Sequence, residues 1–286
     1  MKRVFCISAS LVLMIVAGAV PQALSQTNPQ IHVVLASPGP VGAATTTAIF
    51  SHFAVGGDFA TVFTLLNTGS SALTGNLILT NSDGTLTNVS LQSSDGTAAT
   101  GTSIALNIPQ GGTTLVTATP IVAGDPNTKS GWARVESSGG TLGGVSTFKL
   151  APNGILQTIA GVLSSTPGSS ATIPVDNDDS QKRYTGYAIA NTGSSGVSVK
   201  IVVVDTLGNI VNTITPPALN PLPPGQQVAR FLHQDLPNLV TFKGSMVLIE
   251  QSGANFAIVA LIQAQGGSGI FYSAIPVIPG RAANIN

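Results

Sequence analysis

Apolar and polar residues alternate with a period of two along several stretches of the chain. The pattern is clearest in residues 73–80 and 197–203, and similar rows run along 59–65 and 183–189. Because successive side chains of a strand point to opposite faces, one alternating set should face a core. This set comprises Leu73, Gly75, Leu77 and Leu79 and, further on, Val197, Val199, Ile201 and Val203. The pattern predicts β-strands.

Turn signals separate these rows. The rows at 59–65 and 183–189 run into Asn-Thr-Gly, where Asn and Gly tolerate positive φ and are expected to reverse the chain. Further turns are predicted at Asp83-Gly84 and at 207–209. No stretch after residue 25 keeps helical spacing, and a short helical turn at 233–239 is the most we expect. Many short strands with frequent turns are typical of a β-sandwich or barrel.

The strand pattern occurs twice. Asn67–Ser71 recurs at Asn191–Ser195, a shift of 124 residues (191 − 67), and this shift aligns 49–84 with 173–208 without gaps. Beyond the next loops the shift becomes 114. It aligns Ile108 with Leu222, Glu136 with Glu250 and Ala160 with Ala274. The sequence therefore predicts two all-β domains, 49–163 and 173–279, each close to the size of one sandwich domain.

Four further segments complete the predicted organisation. Residues 1–25 have the features of a cleaved signal peptide: Lys2 and Arg3, an apolar run, and a small-residue cleavage site before Gln26. An uncleaved membrane anchor is the alternative, and no later stretch is long and apolar enough to span a bilayer. Residues 26–48 are predicted to be an N-terminal extension and linker, 164–172 a second linker, and 280–286 a C-terminal tail.

Composition narrows the class of protein. Only 8% of residues are charged, against roughly 25% in an average soluble domain. Basic and acidic residues number 11 each, without the basic excess that nucleic-acid binding needs. Cleavage removes Cys6, Lys2 and Arg3, which leaves no cysteine and a formal charge of −2 (9 − 11). We expect a secreted protein without disulfides, located outside the cell or on its surface, with the periplasm as the alternative.

The order of strands, turns and motifs resembles a known family. The informative segments are Gly131–Glu136, Val228–Leu232 and Phe242–Ser245, the last followed by an aliphatic strand. They are similar to the immunoglobulin-like modules repeated in bacterial secreted and cell-surface proteins, such as bacterial cell-adhesion-related domains. The resemblance covers 49–163 and 173–279. It implies an all-β fold of two tandem immunoglobulin-like β-sandwich domains in an extracellular structural or adhesive setting, and it carries no catalytic residue.

Catalytic patterns are weak. The histidines, at positions 32, 52 and 233, lack metal-binding spacing. Gly193-Ser194-Ser195-Gly196 comes closest to a nucleophile motif, but its place in a repeated turn explains it better. Glu136 and Glu250 align between the copies, which favours structural roles over an acid–base pair. We therefore predict neither an enzyme nor a cofactor.

An acidic cluster is the one candidate metal site. Asp176, Asp178 and Asp179 are three carboxylates within four residues, and such hard oxygen ligands favour Ca²⁺. Gln181 and Tyr187 stand where an EF-hand loop needs Gly and Glu. We therefore expect a solvated loop at the entry to the second domain and no metal; the alternative is a calcium site that stiffens the hinge between domains.

Two further features bear on partners. Trp132 could form a sugar-stacking platform, but its alignment with Met246 favours a core position. The aliphatic segment 31–35 lies outside both repeats and is expected to pair with its own first domain. The alternative is donation of this strand to another molecule, which would build a fibre.

Three function classes remain open at this point. The sequence favours a non-enzymatic structural or adhesion-type module with an unknown surface protein or polysaccharide as its partner. A polysaccharide-binding module would show an exposed aromatic row on one sheet. A hydrolase would need a concave pocket with convergent polar groups.

Overall fold

A computed structural model describes residues 47–138, 141–267, 269–280 and 285. These residues form an all-β fold, as predicted. No helix within them is long and apolar enough to cross a membrane. The predicted signal peptide (1–25) and the predicted strand at 31–35 lie outside the described residues.

The N-terminal half of the described chain (47–163) forms two sheets. The first sheet has the order β1-β8-β3-β6, and the second has the order β10-β9-β2-β7-β4-β5. The inward side chains of the two sheets enclose one core, in which Phe50, Phe63 and Leu77 are fully buried. The strands are β1 (Thr47–Val55), β2 (Phe59–Asn67), β3 (Leu73–Asn81), β4 (Val89–Ser93), β5 (Ala98–Gly101), β6 (Ser103–Ile108), β7 (Thr113–Thr119), β8 (Lys129–Ser138), β9 (Leu142–Leu150) and β10 (Thr158–Leu163).

The C-terminal half (170–279) forms two more sheets around a second core. Their orders are β14-β13-β16-β11-β19 (third sheet) and β15-β12-β17-β18 (fourth sheet). The elements are β11 (Ser170–Asn177), β12 (Arg183–Ala190), β13 (Val199–Asp205), β14 (Ile210–Ile214), β15 (Gln227–Phe231), α1 (Leu232–Asp235), β16 (Phe242–Glu250), β17 (Ala257–Gly266), β18 (Gly269–Ile275) and β19 (Ile278–Pro279). Short 3₁₀ turns lie at 152–154, 179–181, 217–219 and 237–239. Strand β11 begins at Ser170, inside the segment interpreted as a linker.

The two halves share one strand order. The run β11-β16-β13-β14 corresponds to β1-β8-β3-β6, and β15-β12-β17-β18 corresponds to β7-β2-β9-β10. The N-terminal half adds the hairpin β4–β5, which widens the second sheet. At the other edge of each of these sheets a short segment is added. In the third sheet β19 pairs with β11, and in the first sheet Ser165 forms an isolated bridge with Ile49 of β1.

The predicted inward row is confirmed in both halves, because its leucines, valines and isoleucine lie in the two cores. The opposite face of β13 is buried as well. There Val202 and Val204 pack with Val247 and Ile249 of β16, and Ile285 packs on them. The third sheet is therefore apolar on both faces over these two strands.

The repeated Asn-Thr-Gly-Ser-Ser closes the same turn twice, but by a different mechanism from the one predicted. Neither Gly69 nor Gly193 adopts a positive φ. Instead the buried Asn191 side chain donates to the carbonyl oxygens of Ser195 (2.7 Å) and Leu222 (2.9 Å) and accepts from Gly193 N. Asn67 makes the equivalent bonds. The next turns lie at the predicted positions, and their glycines have positive φ, +88° at Gly84 and +87° at Gly208.

The sequence alignment of β8 with β16 is wrong by one residue. Ala133 faces Leu79 on β3, and Met246 faces Val203 on β13, so these two residues are equivalent. Trp132 corresponds to Ser245. A shift of one residue moves every side chain of a strand to the other face. Trp132 therefore lies on the outer face of the first sheet, whereas Met246 lies in the second core.

Three other alignments also need correction. Strand β1 carries an extra residue between Phe50 and Phe53, so Phe50, not Ile49, corresponds to Ile173. The ladder also places Glu136 opposite Asn76 and Glu250 opposite Val199, which are not equivalent positions. Their roles differ accordingly. Glu136 pairs with Arg134, whereas Glu250 accepts the backbone amides of the turn 252–254. Finally, Ala160 lies at the position of Ser273 rather than Ala274, since their partners Phe148 and Ile262 are equivalent.

The outer face of the fourth sheet packs against the N-terminal half. Ala188 and Val259 contact Phe148 and Val162 of the second sheet, whose inner face extends beyond the first core. Ala190 and Ala257 contact Ile49 and Trp132. We call this contact the junction; the described residues accordingly belong to one compact unit.

A buried polar network lies within the junction. The Gln227 amide donates to Ser51 O (3.3 Å) and to His52 Nδ1 (3.0 Å), while its oxygen accepts from Ser82 Oγ (3.0 Å). The Trp132 indole N–H donates to Gly225 O (2.7 Å). These bonds satisfy polar groups that the apolar packing removes from water.

Candidate functional site: an aromatic row across the fourth sheet

Within the described residues, no group of three or more His, Cys, Asp or Glu side chains is arranged to hold a metal ion. Asp176 pairs with Arg183 at 3.0 Å, and Asp178 accepts the amide and hydroxyl of Ser180. Asp179 accepts from Lys182 Nζ (3.0 Å) and from the Tyr184 hydroxyl. The three carboxylates of the candidate calcium site are therefore paired within the protein: Asp176 and Asp178 both lie beside Arg183 (3.0 and 3.6 Å), and Asp179 lies beside Lys182.

Tyr184, the tyrosine bonded to Asp179, belongs to a group of aromatic side chains on the outer face of the fourth sheet. Tyr184 on β12 lies opposite Gln263 on β17, which lies opposite Tyr272 on β18. Directly opposite residues of antiparallel strands share a face, so the three side chains form a line across the sheet. Tyr272 Oη donates to Gln263 Oε1 at 3.1 Å.

Two more rings extend the line at the β15 end. Phe231 lies opposite Gly186, and a Cβ at Gly186 would come within 3.0 Å of the Phe231 ring. Gly186 therefore leaves the space that the phenyl ring occupies. His233 stacks on Phe231 (centroids 5.7 Å, planes 20° apart) and contacts Tyr184 (centroids 4.3 Å).

Helix α1 is fixed by a buried carboxylate. Asp235, whose side chain is 4% exposed, accepts from Arg230 Nε (2.7 Å) and from the Tyr187 hydroxyl (2.5 Å). Gln234 Oε1 accepts from Phe231 N (2.8 Å). Because Arg230 and Tyr187 belong to β15 and β12, these bonds hold His233 over the sheet.

The line continues across the junction. Phe59, at the start of β2, contacts Tyr272 with ring centroids 6.1 Å apart. Tyr272 N also donates to Thr158 Oγ1 on β10 (3.1 Å). We call the five residues the aromatic row: His233, Phe231, Tyr184, Tyr272 and Phe59. All five are half-buried, so part of each ring remains accessible.

Hydrogen bonding and burial shift the pKa values of this group. The Tyr184 hydroxyl, followed by Lys182, lowers the pKa of Asp179, and the same hydrogen bond raises the pKa of Tyr184. Burial lowers the pKa of His233, whose Nδ1 has no hydrogen-bond partner among the described residues. At neutral pH Asp179, beside the aromatic row, is therefore ionised and paired with Lys182, and the His233 imidazole within the row is neutral.

The other predicted candidates lie elsewhere. His52 is at the junction, where it binds Gln227 and contacts Phe148, and burial lowers its pKa to about 4. Ser194 is exposed in the turn between β12 and β13. Trp132 is buried, as predicted, although against the C-terminal half rather than in a core. His32 lies outside the described residues.

The aromatic row was not identified from the sequence, although one signal was present. In the stretch 183–189 the alternating row consists of Arg183, Thr185, Tyr187 and Ile189. Tyr184 lies between its members and should therefore face the opposite side of the sheet. The chain has only three tyrosines, so an outward one is informative. Phe59 and Tyr272 could not be linked to it, because their proximity depends on how the halves pack.

Comparisons of the chain with protein-family models, with curated proteins and with solved structures found no match.

Proposed function

We propose that the protein is an exported, non-enzymatic structural or adhesion-type module that acts at the cell surface or in the extracellular space. The observation that carries this proposal is the buried junction. Apolar packing and the Gln227 network join two similar halves into one unit. Such a unit holds its two ends at a fixed separation, which is the property required of a spacer or scaffold.

We further propose that each half is an immunoglobulin-like β-sandwich domain. That fold has strands A-B-E-D in one sheet and C-F-G in the other. In the C-terminal half, β11-β16-β13 fit positions B, E and D, and β12-β17-β18 fit positions C, F and G. Strand β19 lies beside β11 in the place of strand A, while β14 and β15 are additions.

The outer face of the second sheet supports an adhesive role. Thr64, Leu115, Val145 and Leu163 occupy neighbouring strands on this face, and Lys149 is its one charged residue. A broad face of uncharged side chains suits contact with a neutral surface better than contact with nucleic acid or a charged membrane.

Fractionation of the native host tests this proposal. Antibodies against the folded protein should detect it in the medium or on intact cells, and mass spectrometry should place the mature N-terminus at Gln26. Recovery of the full-length chain, with residues 1–25 retained, from the cytoplasm would contradict export and with it the surface role.

A further inference from the structure

We propose that the aromatic row is a binding site for a neutral, linear, β-1,4-linked oligosaccharide. This inference rests on the non-enzymatic surface role proposed above, to which it adds a class of ligand. Its support comes from the accessible rings, their spacing, the polar groups beside them and the rigidity of the site.

The rings supply stacking surfaces. A pyranose presents axial C–H groups on its faces, and these groups pack against the electron-rich face of an aromatic ring. Tyr184, Phe231 and Tyr272 are half-buried, so each is held by the protein while keeping accessible surface. Rings fixed in this way lose little conformational entropy when a ligand binds.

The spacing of the tyrosines favours an extended chain. Tyr184 and Tyr272 flank Gln263, so their backbones are two strand spacings apart, about 9.6 Å. This separation is close to the length of a disaccharide unit in an extended β-1,4-linked chain. An α-1,4-linked chain coils and would leave a straight row after the first contacts.

Polar groups beside the rings suit sugar hydroxyls. Gln263, half-buried between the two tyrosines, accepts from Tyr272 through Oε1, and its Nε2 is a donor group. The charges at this end, Lys182 and Asp179, form an ion pair 3.0 Å apart, so a neutral ligand fits better than an anionic one.

The site is formed before any ligand arrives. Asp235 fixes α1 and therefore His233, Gly186 makes room for Phe231, and the junction brings Phe59 to Tyr272. Binding sites often lie where two domains meet. A sugar chain that follows this row would contact both halves.

Calorimetric titration tests the inference. The probes are the β-1,4-linked hexasaccharides of glucose and of N-acetylglucosamine, with the α-1,4-linked glucose hexasaccharide as the linkage control. We expect at least one β-linked probe to bind and the α-linked probe to bind at least about tenfold more weakly. Tyr184→Ala and Tyr272→Ala should each weaken binding about tenfold, since each removes one stacking ring.

Phe271→Ala is the matched control. Phe271 is a neighbouring aromatic residue on β18, 40% exposed and on the opposite face of the strand, so its loss should leave affinity unchanged. Circular dichroism and melting temperature would show that the variants remain folded. The inference is overturned if no β-linked probe binds at millimolar concentration, if all three probes bind equally, or if the tyrosine variants bind as the parent chain does. None of these results would bear on export or on the rigidity of the junction, which are measured separately.

Discussion

Single polar side chains with several buried hydrogen bonds connect segments that are distant in the sequence. The Asn67 amide donates to three carbonyl groups and the Asn191 amide to two, and Gln227 binds three residues of the N-terminal half. A buried polar group lowers the stability of the fold little while it is hydrogen-bonded. When it is removed, its former partners stay buried without a hydrogen bond, and this lowers the free energy of unfolding. These residues should therefore affect stability more than their size suggests.

Asn191→Ala tests the turn mechanism. The substitution leaves the carbonyl groups of Ser195 and Leu222 without their donor, so we expect unfolding free energy to fall by about 2–3 kcal/mol. Ser194→Ala, in the same turn but exposed, should change it by less than about 0.5 kcal/mol. Urea denaturation measures both. Equal effects of the two substitutions would show that the asparagine bonds do not close the turn.

His52 should make stability depend on pH. Burial lowers its pKa to about 4, whereas the unfolded chain has the ordinary value near 6.5. Above pH 6.5 the imidazole is neutral in both states, and between 6.5 and 4 only the unfolded state takes up the proton. Stability should therefore fall as pH drops through this window, by up to about 3 kcal/mol.

The control for this effect is His52→Gln, which removes the titrating group. Denaturation curves at pH 7.5 and pH 4 should show a smaller loss of stability in the variant than in the parent chain. If both lose the same amount, other groups cause the pH dependence.

At the scale of elements, strand register depends on close backbone contacts. Gly131 on β8 and Gly244 on β16 occupy equivalent ladder positions, opposite Asn81 and Asp205. A Cβ at Gly131 would lie 1.9 Å from Thr80 O, and one at Gly244 would lie 2.1 Å from Val204 O. Both glycines therefore allow the close approach of neighbouring strands.

Replacing these glycines by alanine should destabilise the protein. We expect Gly131→Ala and Gly244→Ala each to lower the unfolding free energy by about 1–3 kcal/mol, because the backbone must move to relieve the overlap. Gly143→Ala on β9 is the control, since nothing lies within 4 Å of its added Cβ. Thermal or urea denaturation of the three variants gives the comparison. A change at Gly143 as large as at Gly131 would argue against the close-contact explanation.

These elements also show how far the sequence could predict the fold. The period of two identified β2, β3, β12 and β13 and their inward faces, because alternation depends only on local geometry. The register of β1 and β8 could not be obtained in this way. A bulge in β1 and a one-residue shift between β8 and β16 have no local signature, and they changed the side of the sheet assigned to Trp132.

At the scale of the whole molecule, the junction determines what the surface presents. It buries Trp132, lowers the pKa of His52 and brings Phe59 to Tyr272. The repeats in the sequence indicated two similar units. The junction, however, joins the inner face of the second sheet to the outer face of the fourth, and a contact between such different faces leaves no periodic pattern in the sequence. The junction and the aromatic row could therefore be recognised only in three dimensions.

The most direct test of this account is the distance between the two halves in solution. Cys6 is the one cysteine in the sequence, so a chain beginning at Gln26 can carry nitroxide labels at Ala105→Cys and Thr213→Cys alone. Both positions are exposed, on β6 and β14. Pulsed electron spin resonance should give one narrow distance distribution, which broadens when Gln227→Ala and Trp132→Ala remove the junction bonds. A broad distribution in the parent chain would contradict a fixed junction and the structural role built on it.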